Sequence, residues 1–147
     1  MLPGGEGGIT LKVDTRGYSG RVHKSATVYS NDPRSKSRLI TLEAFIRPLI
    51  SIAPAVVYLE GKTGHIVKTS VEIKGKRGRE LTLEPVHFDL QDKVVYTLEE
   101  IEPGIKYTVH FSNVQDLSGT SFGLLRLKTN YPEKPEVSIR IRCRFGP

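Results

Sequence analysis

A half-repeat constrains this chain more than any other feature of it. Residues 19 to 46 align without a gap onto residues 118 to 145, an offset of 99. Ser19-Gly20 meets Ser118-Gly119, YSNDP (Tyr29 to Pro33) meets KTNYP (Lys128 to Pro132), and LITLEAFI (Leu39 to Ile46) meets SIRIRCRF (Ser138 to Phe145). Identity is low, but the alternation of apolar and polar residues stays in phase. Ala26, Val28, Ile40, Leu42, Ala44 and Ile46 correspond to Leu125, Leu127, Ile139, Ile141, Cys143 and Phe145. Strand side chains alternate between faces, so a one-residue slip would turn this whole set outward. The shared phase therefore predicts two strand-turn-strand units with matching inward faces. Asn31 and Asn130 suit the turns, and the proline two residues beyond each stops the ladder.

Short alternating runs rich in Val, Ile, Thr, Tyr and Phe recur between Gly, Pro, Asn and Ser, and no segment carries a sustained helical period. The class read from this is all-β. Strands are expected near 9–14, 22–30, 38–46, 49–59 with a break at Pro54, 65–73, 79–84, 94–99, 105–112, 122–129 and 136–145. KVVYTLEEI is ambiguous, since Val94, Leu98 and Ile101 also suit a helix face, but Val94, Val95 and Tyr96 favour a strand. Pro3 to Asp14 resembles Pro103 to Ser112, so the first 47 residues match only the last half of the second unit. A unit of about 100 residues with some seven strands is an immunoglobulin-like β-sandwich. The expectation is one partial unit, 1–47, followed by one complete unit, 48–147. The junction Arg47-Pro48-Leu49-Ile50 has no Gly/Ser spacer and reads as stiff. Three strands seldom bury enough apolar surface to stand alone, so the first unit needs a cover.

The stretch PGGEGGITLKVDTRGYSGRVHKSATVYSNDP carries a Pro-Gly turn, a strand, a Gly, a strand rich in Lys and Val, and Ser-Asn-Asp-Pro. It resembles a bacterial domain family of unknown function with a Hydin and major-sperm-protein type of immunoglobulin-like fold. The match covers residues 2 to 47 best, and the second unit follows it more loosely through PGIKYTVHF and TNYP. The resemblance implies a scaffold or adhesion-like module outside the cytoplasm. Members often carry a cysteine-containing strand before the Pro-Gly turn; here that segment is absent and Cys143 lies elsewhere, so no ligand site carries over. The missing segment implies that Met1 begins inside a longer protein.

No catalytic constellation is legible. His23, His65, His87 and His110 fall in separate strands or strand ends without metal-ligand spacing, so no metal or cofactor is expected. No nucleophile elbow occurs. Cys143 is alone, on the inward phase of its strand, which predicts an inert buried thiol and rules out an internal disulfide. Glu99, Glu100 and Glu102 before Pro103-Gly104 read as a solvated turn. The longest apolar stretch, Phe45 to Leu59, is broken by Arg47, Pro48 and Pro54 and is too short for a membrane span. The N-terminal MLPGGEGG has no signal-peptide pattern.

Charge supplies the remaining candidates: 22 Lys and Arg against 16 Asp and Glu give a formal net charge of +6. KGKRGRE (Lys74 to Glu80) places Lys74, Lys76, Arg77 and Arg79 on a hairpin tip with Gly75 and Gly78 as turn residues; the alternative is a solvated loop. The outward set of the last two strands contains Arg126, Lys128, Arg140, Arg142 and Arg144, with Glu80 and Glu84 of a neighbouring strand as counter-charges in an ion-pair ladder. The equivalent outward positions of the first unit, led by Thr27, Tyr29 and Phe45, offer an interaction surface. The leading reading is a non-enzymatic structural or protein-interaction module of a longer tandem protein, extracytoplasmic, binding a protein partner or itself through strand edges, homodimerisation included. The alternative is polyanion binding through the basic residues. Nucleic acid is not favoured as the ligand, because no nucleic-acid motif is present and few exposed aromatics are expected for stacking.

Overall fold

The computed structural model describes residues 4–16 and 18–147, and among them every regular element is a strand. The opening of the family-like stretch, residues 2 and 3, and Gly17 lie outside the described residues. The chain divides into two compact units, Met1–Pro48 and Leu49–Pro147.

The first unit contains β1 (Gly20–Tyr29) and β2 (Ser37–Ile46), paired antiparallel as a two-stranded ribbon. Its inward set is only half-buried at Ala26, Val28, Ile40, Leu42, Ala44 and Ile46, whereas Val22 is buried. The opposite face is exposed.

The second unit contains β3 (Ile50–Ala53), β4 (Val56–Lys62), β5 (Lys68–Gly75), β6 (Leu83–Phe88), β7 (Val94–Glu102), β8 (Lys106–Asn113), β9 (Gly119–Thr129) and β10 (Glu136–Gly146). They form two four-stranded sheets, β4-β10-β9-β6 and β3-β5-β8-β7, packed as an immunoglobulin-like sandwich. Pro54 has no N–H to give to a ladder, so the run 49–59 is cut there: β3 joins one sheet, and β4 pairs parallel with β10 in the other. The core draws alternate residues from both sheets, among them Leu59, Val71, Ile73, Val109, Phe111, Leu125, Leu127, Ile139, Ile141 and Cys143. The 94–102 segment is a strand.

The ribbon and the β9–β10 hairpin share one geometry. Gly20 pairs with Ile46 and Gly119 with Phe145, Ala26 with Ile40 and Leu125 with Ile139, Tyr29 with Ser37 and Lys128 with Glu136. All ten pairs of each hairpin keep the offset of 99. The turns match as well. Ser30 N–H donates to Lys36 O at 2.9 Å and Thr129 N–H to Pro135 O at 2.8 Å. The Ser30 and Thr129 hydroxyls donate to the carbonyls of Ser35 and Lys134. Gly20 and Gly119 open their strands at φ of 77° and 76°, a region that disfavours any residue with a Cβ.

Three boundaries differ from expectation. Residues 9–14 form no strand. Their counterpart is β8, which is held between β5 and β7, and the described residues of the first unit provide no equivalent strands to pair with. The strand expected at 79–84 lies at 83–88, because Tyr131 ties down the preceding loop. Tyr131 is fully buried; its hydroxyl accepts the Lys76 N–H at 3.2 Å and donates to the Arg79 carbonyl at 2.9 Å, and the Arg79 guanidinium lies 4.2 Å above its ring. Leu81 fills the core from within that loop. The strand expected at 65–73 begins at Lys68, after a turn at Gly64 with φ of 88°.

Tyr131→Phe keeps the ring and removes both hydroxyl bonds, leaving the Lys76 N–H and the Arg79 carbonyl without that partner. We expect a loss of about 1–3 kcal/mol in urea unfolding, seen as a lower midpoint at unchanged slope.

Candidate functional site

The outward face of β4, β10 and β9 follows from register. Side chains at paired positions lie side by side, so three rows cross the sheet: Glu60-Arg144-Thr120, Tyr58-Arg142-Phe122 and Val56-Arg140-Leu124. The latter two rows line a cavity of about 420 Å³. Tyr58 and Phe122 are 53% and 62% exposed, large for rings on a sheet face. The Arg142 guanidinium lies 5.0 Å above the Phe122 ring. Arg144 reaches Glu60 at 3.2 Å. Among the described residues Arg140 and Arg142 make no ion pair.

The five outward basic residues of β9 and β10 therefore share one face, but none stands directly opposite another. Arg126 lies opposite Ser138 and reaches Glu136 at 3.7 Å. Lys128 lies between Glu136 and Glu84 in register. Glu84 stands beside Lys128 in register but closes no ion pair with it, while Glu80 stays in the loop, where its carbonyl accepts from the Asn130 side chain at 3.0 Å.

The Lys74–Arg79 segment is not a hairpin tip, because β5 and β6 lie in different sheets; Lys74 is the penultimate residue of β5, and the loop crosses between the sheets at the end that carries the β9–β10 turn. Arg79 forks onto Glu133 at 2.9 and 3.0 Å, which holds the Glu133 carboxyl below its usual range. Lys74 and Lys106 close on Glu72 at 2.6 and 2.7 Å; the hydrogen bond from Lys106 is the larger cause of the lowered Glu72 pKa. Lys76 and Arg77 are exposed without such partners among the described residues.

In the first unit Thr27, Tyr29 and Phe45 occupy one face of the ribbon but not one patch. Thr27 lies beside Leu39 near one end, Tyr29 pairs with Ser37 at that end, and Phe45 pairs with Arg21 at the other. His23 and Glu43, 3.2 Å apart, stand between them.

His110 meets Glu99 at 3.0 Å, and His87 meets Asp89, whose pKa is lowered first by that contact and then by the Leu124 N–H. His65 lies in the turn after β4. Among the described residues no group of three His, Cys, Asp or Glu gathers as a metal site. Glu99, Glu100 and Glu102 belong to β7 rather than to a solvated turn: Glu100 accepts the Gly104 N–H at 2.8 Å, and Glu102 pairs with Lys106 in register. Cys143 is fully buried, and burial pushes its thiol up, with Lys93 opposing.

Tyr58 and Phe122 were not anticipated. Phe122 shares the phase of Arg126 and already lies within the strand expected at 122–129, so the alternation alone marks it as outward. Tyr58 joins the face only through the parallel β4–β10 pairing, which no local pattern announces.

The Tyr107 hydroxyl lies 2.9 Å from the Leu81 carbonyl oxygen and 3.0 Å from Glu100 Oε1. Burial first, and Glu100 second, push its pKa up to about 12 from 10.0. The folded state thus favours the neutral phenol. The resulting stability is complete below the ordinary pKa and is lost as pH rises from 10 towards 12. Tyr107→Phe is expected to flatten that part of the stability-pH curve, measured by urea unfolding. Cys143 is expected to resist a thiol reagent in the native chain and to react fully in denaturant, since the thiolate is the reactive species.

No family model matches the chain, and no curated protein matches it. Among solved structures, a protein of unknown function from Porphyromonas gingivalis superposes with a TM-score of 0.50 at 12% identity, covering 91% of this chain and 70% of that one. Domains 4 and 5 of the S-layer protein SbsC give 0.37 at 14% identity, covering 88% and 74%. The Porphyromonas likeness shows the fold and nothing finer, and the S-layer likeness is too weak to build on. The chain is an all-β protein whose second unit is an immunoglobulin-like sandwich.

Proposed function

We propose that this chain is a non-catalytic structural and protein-interaction segment of a longer tandem immunoglobulin-like protein. In this reading residues 1–47 are the C-terminal half of one sandwich and residues 48–147 are the next sandwich entire. The observation that carries it is the ribbon itself. β1 and β2 reproduce the register and turn bonds of β9 and β10, yet their inward set stays half-buried where that of β9 and β10 is sealed. A hairpin built to be covered on one face belongs to a larger sandwich. The second unit supports a structural role by how completely its polar groups are satisfied. Among the described residues no buried side-chain nitrogen or oxygen lacks a hydrogen bond. The Hydin-like affiliation and the extracytoplasmic setting rest on the resemblance in residues 2–47.

Polyanion binding by all nine basic residues draws less support, because Lys74, Arg79, Arg126 and Arg144 each have a carboxylate partner. Such pairs weaken the net attraction for a phosphate chain.

Amide hydrogen exchange on the whole chain tests the proposal, together with the solution mass by light scattering. In a monomer, the β1–β2 amides should exchange at least about a hundredfold faster than their β9–β10 counterparts, as an uncovered ribbon opens locally. Slow exchange restricted to a dimer would identify strand-edge pairing as the cover. Equal protection of both hairpins in a monomer would remove the half-sandwich premise.

A further inference from the structure

We infer that the outward face of β4, β10 and β9 is a binding site for an acidic glycan, with Arg140 and Arg142 taking the carboxylate and Tyr58 and Phe122 the sugar rings. This site lies wholly in the second unit and does not depend on the tandem reading.

Residues two apart on a strand lie about 7 Å apart on one face, so Arg140 and Arg142 are adjacent like charges on β10. Their row neighbours are Val56, Tyr58, Leu124 and Phe122, none of them a counter-charge. Two like charges about 7 Å apart on one face repel, weakly in water, and a bound anion relieves that repulsion. The cation–π contact with Phe122 restrains the Arg142 guanidinium, so it meets a carboxylate with less ordering than a free side chain would need. The rows bound an open depression of about 420 Å³ whose lining is mostly apolar and whose charged groups are the two guanidinium groups.

The charges around this centre select the ligand. Glu60 beside Arg144 and Glu136 with Glu84 beside Arg126 and Lys128 stand at the two ends of the face. A long polyanion laid along β10, a phosphate chain included, would meet those carboxylates on leaving the centre, so the face suits a short uronate lying across the strands, and nucleic acid, which needs a run of free cations, is not favoured. A second copy of the chain docked symmetrically here would bring Arg140 and Arg142 against their own equivalents. Tyr58 and Phe122 flank β10 from either side, about 10 Å apart across two strand spacings. A sugar ring presents C–H groups to an aromatic face and keeps its hydroxyls in water. An open sheet surface meets that requirement, and a closed apolar pocket would not.

The test is calorimetric titration of the whole chain with short oligogalacturonates, with their carboxyl-reduced counterparts and with oligo-dT as comparators, alongside amide chemical-shift mapping. The expected result is binding of the uronate alone, with shifts confined to β4, β9 and β10. Arg140→Gln and Arg142→Gln should each weaken it about tenfold or more, and Phe122→Ala about tenfold. Arg21→Gln in the first unit should change nothing. Should Phe122→Ala fail to fold, the two exposed arginine variants and the shift map decide. Absence of uronate binding, equal binding of the neutral sugar or of oligo-dT, or insensitivity to the arginine variants would each overturn the assignment.

Discussion

Ten consecutive backbone pairs between β9 and β10 determine which side chains of those strands enter the core and which face water. Leu125, Leu127, Ile139, Ile141, Cys143 and Phe145 all fall inward and are sealed against the opposite sheet. β4 then adds to β10 on one side and β6 to β9 on the other, each register following from the central pair. Shifting that pair by one residue would place Arg140, Arg142 and Arg144 inside, at a cost no domain of this size could absorb. The hairpin is thus both the centre of the sheet and the reason its outer surface is basic.

The same pairing separates structural charge from available charge. Cations at the ends of the face have carboxylates beside them, and the exposed pairs they make add little stability. The two central arginines sit instead in two rows, Arg140 in an apolar one and Arg142 in an aromatic one. The hairpin geometry needs no such arginines, since the first unit places Thr41 and Glu43 at the positions equivalent to Arg140 and Arg142. The arrangement is therefore a property of this sheet and a reason to look for its ligand there.

Much of the hairpin geometry was legible in the sequence, because strand alternation and turn chemistry are local and both appear twice at one spacing. The segment at 9–14 shows the limit of that reasoning. Its alternation is as clear as that of β8, but a strand exists only where another strand offers its edge. The loop before β6 failed for a related reason: Leu81 alternates as a strand residue would, while a distant tyrosine holds its backbone in a loop. The site was half legible. Its arginines followed from the phase of β9 and β10, whereas Tyr58 required knowing that β4 changes sheet at Pro54.

By itself the sequence determined an all-β class, two hairpins with one inward phase, a buried lone cysteine and a basic outer surface on the last two strands. These depend on period-two alternation and on residues close in the chain. Only the tertiary structure decided which strands lie beside which, and hence that Tyr58 and Phe122 flank Arg142 and that Glu60, Glu84 and Glu136 bracket it. Such neighbours come from strands separated by tens of residues, and their pairing is selected by burial of the whole core rather than by any local preference.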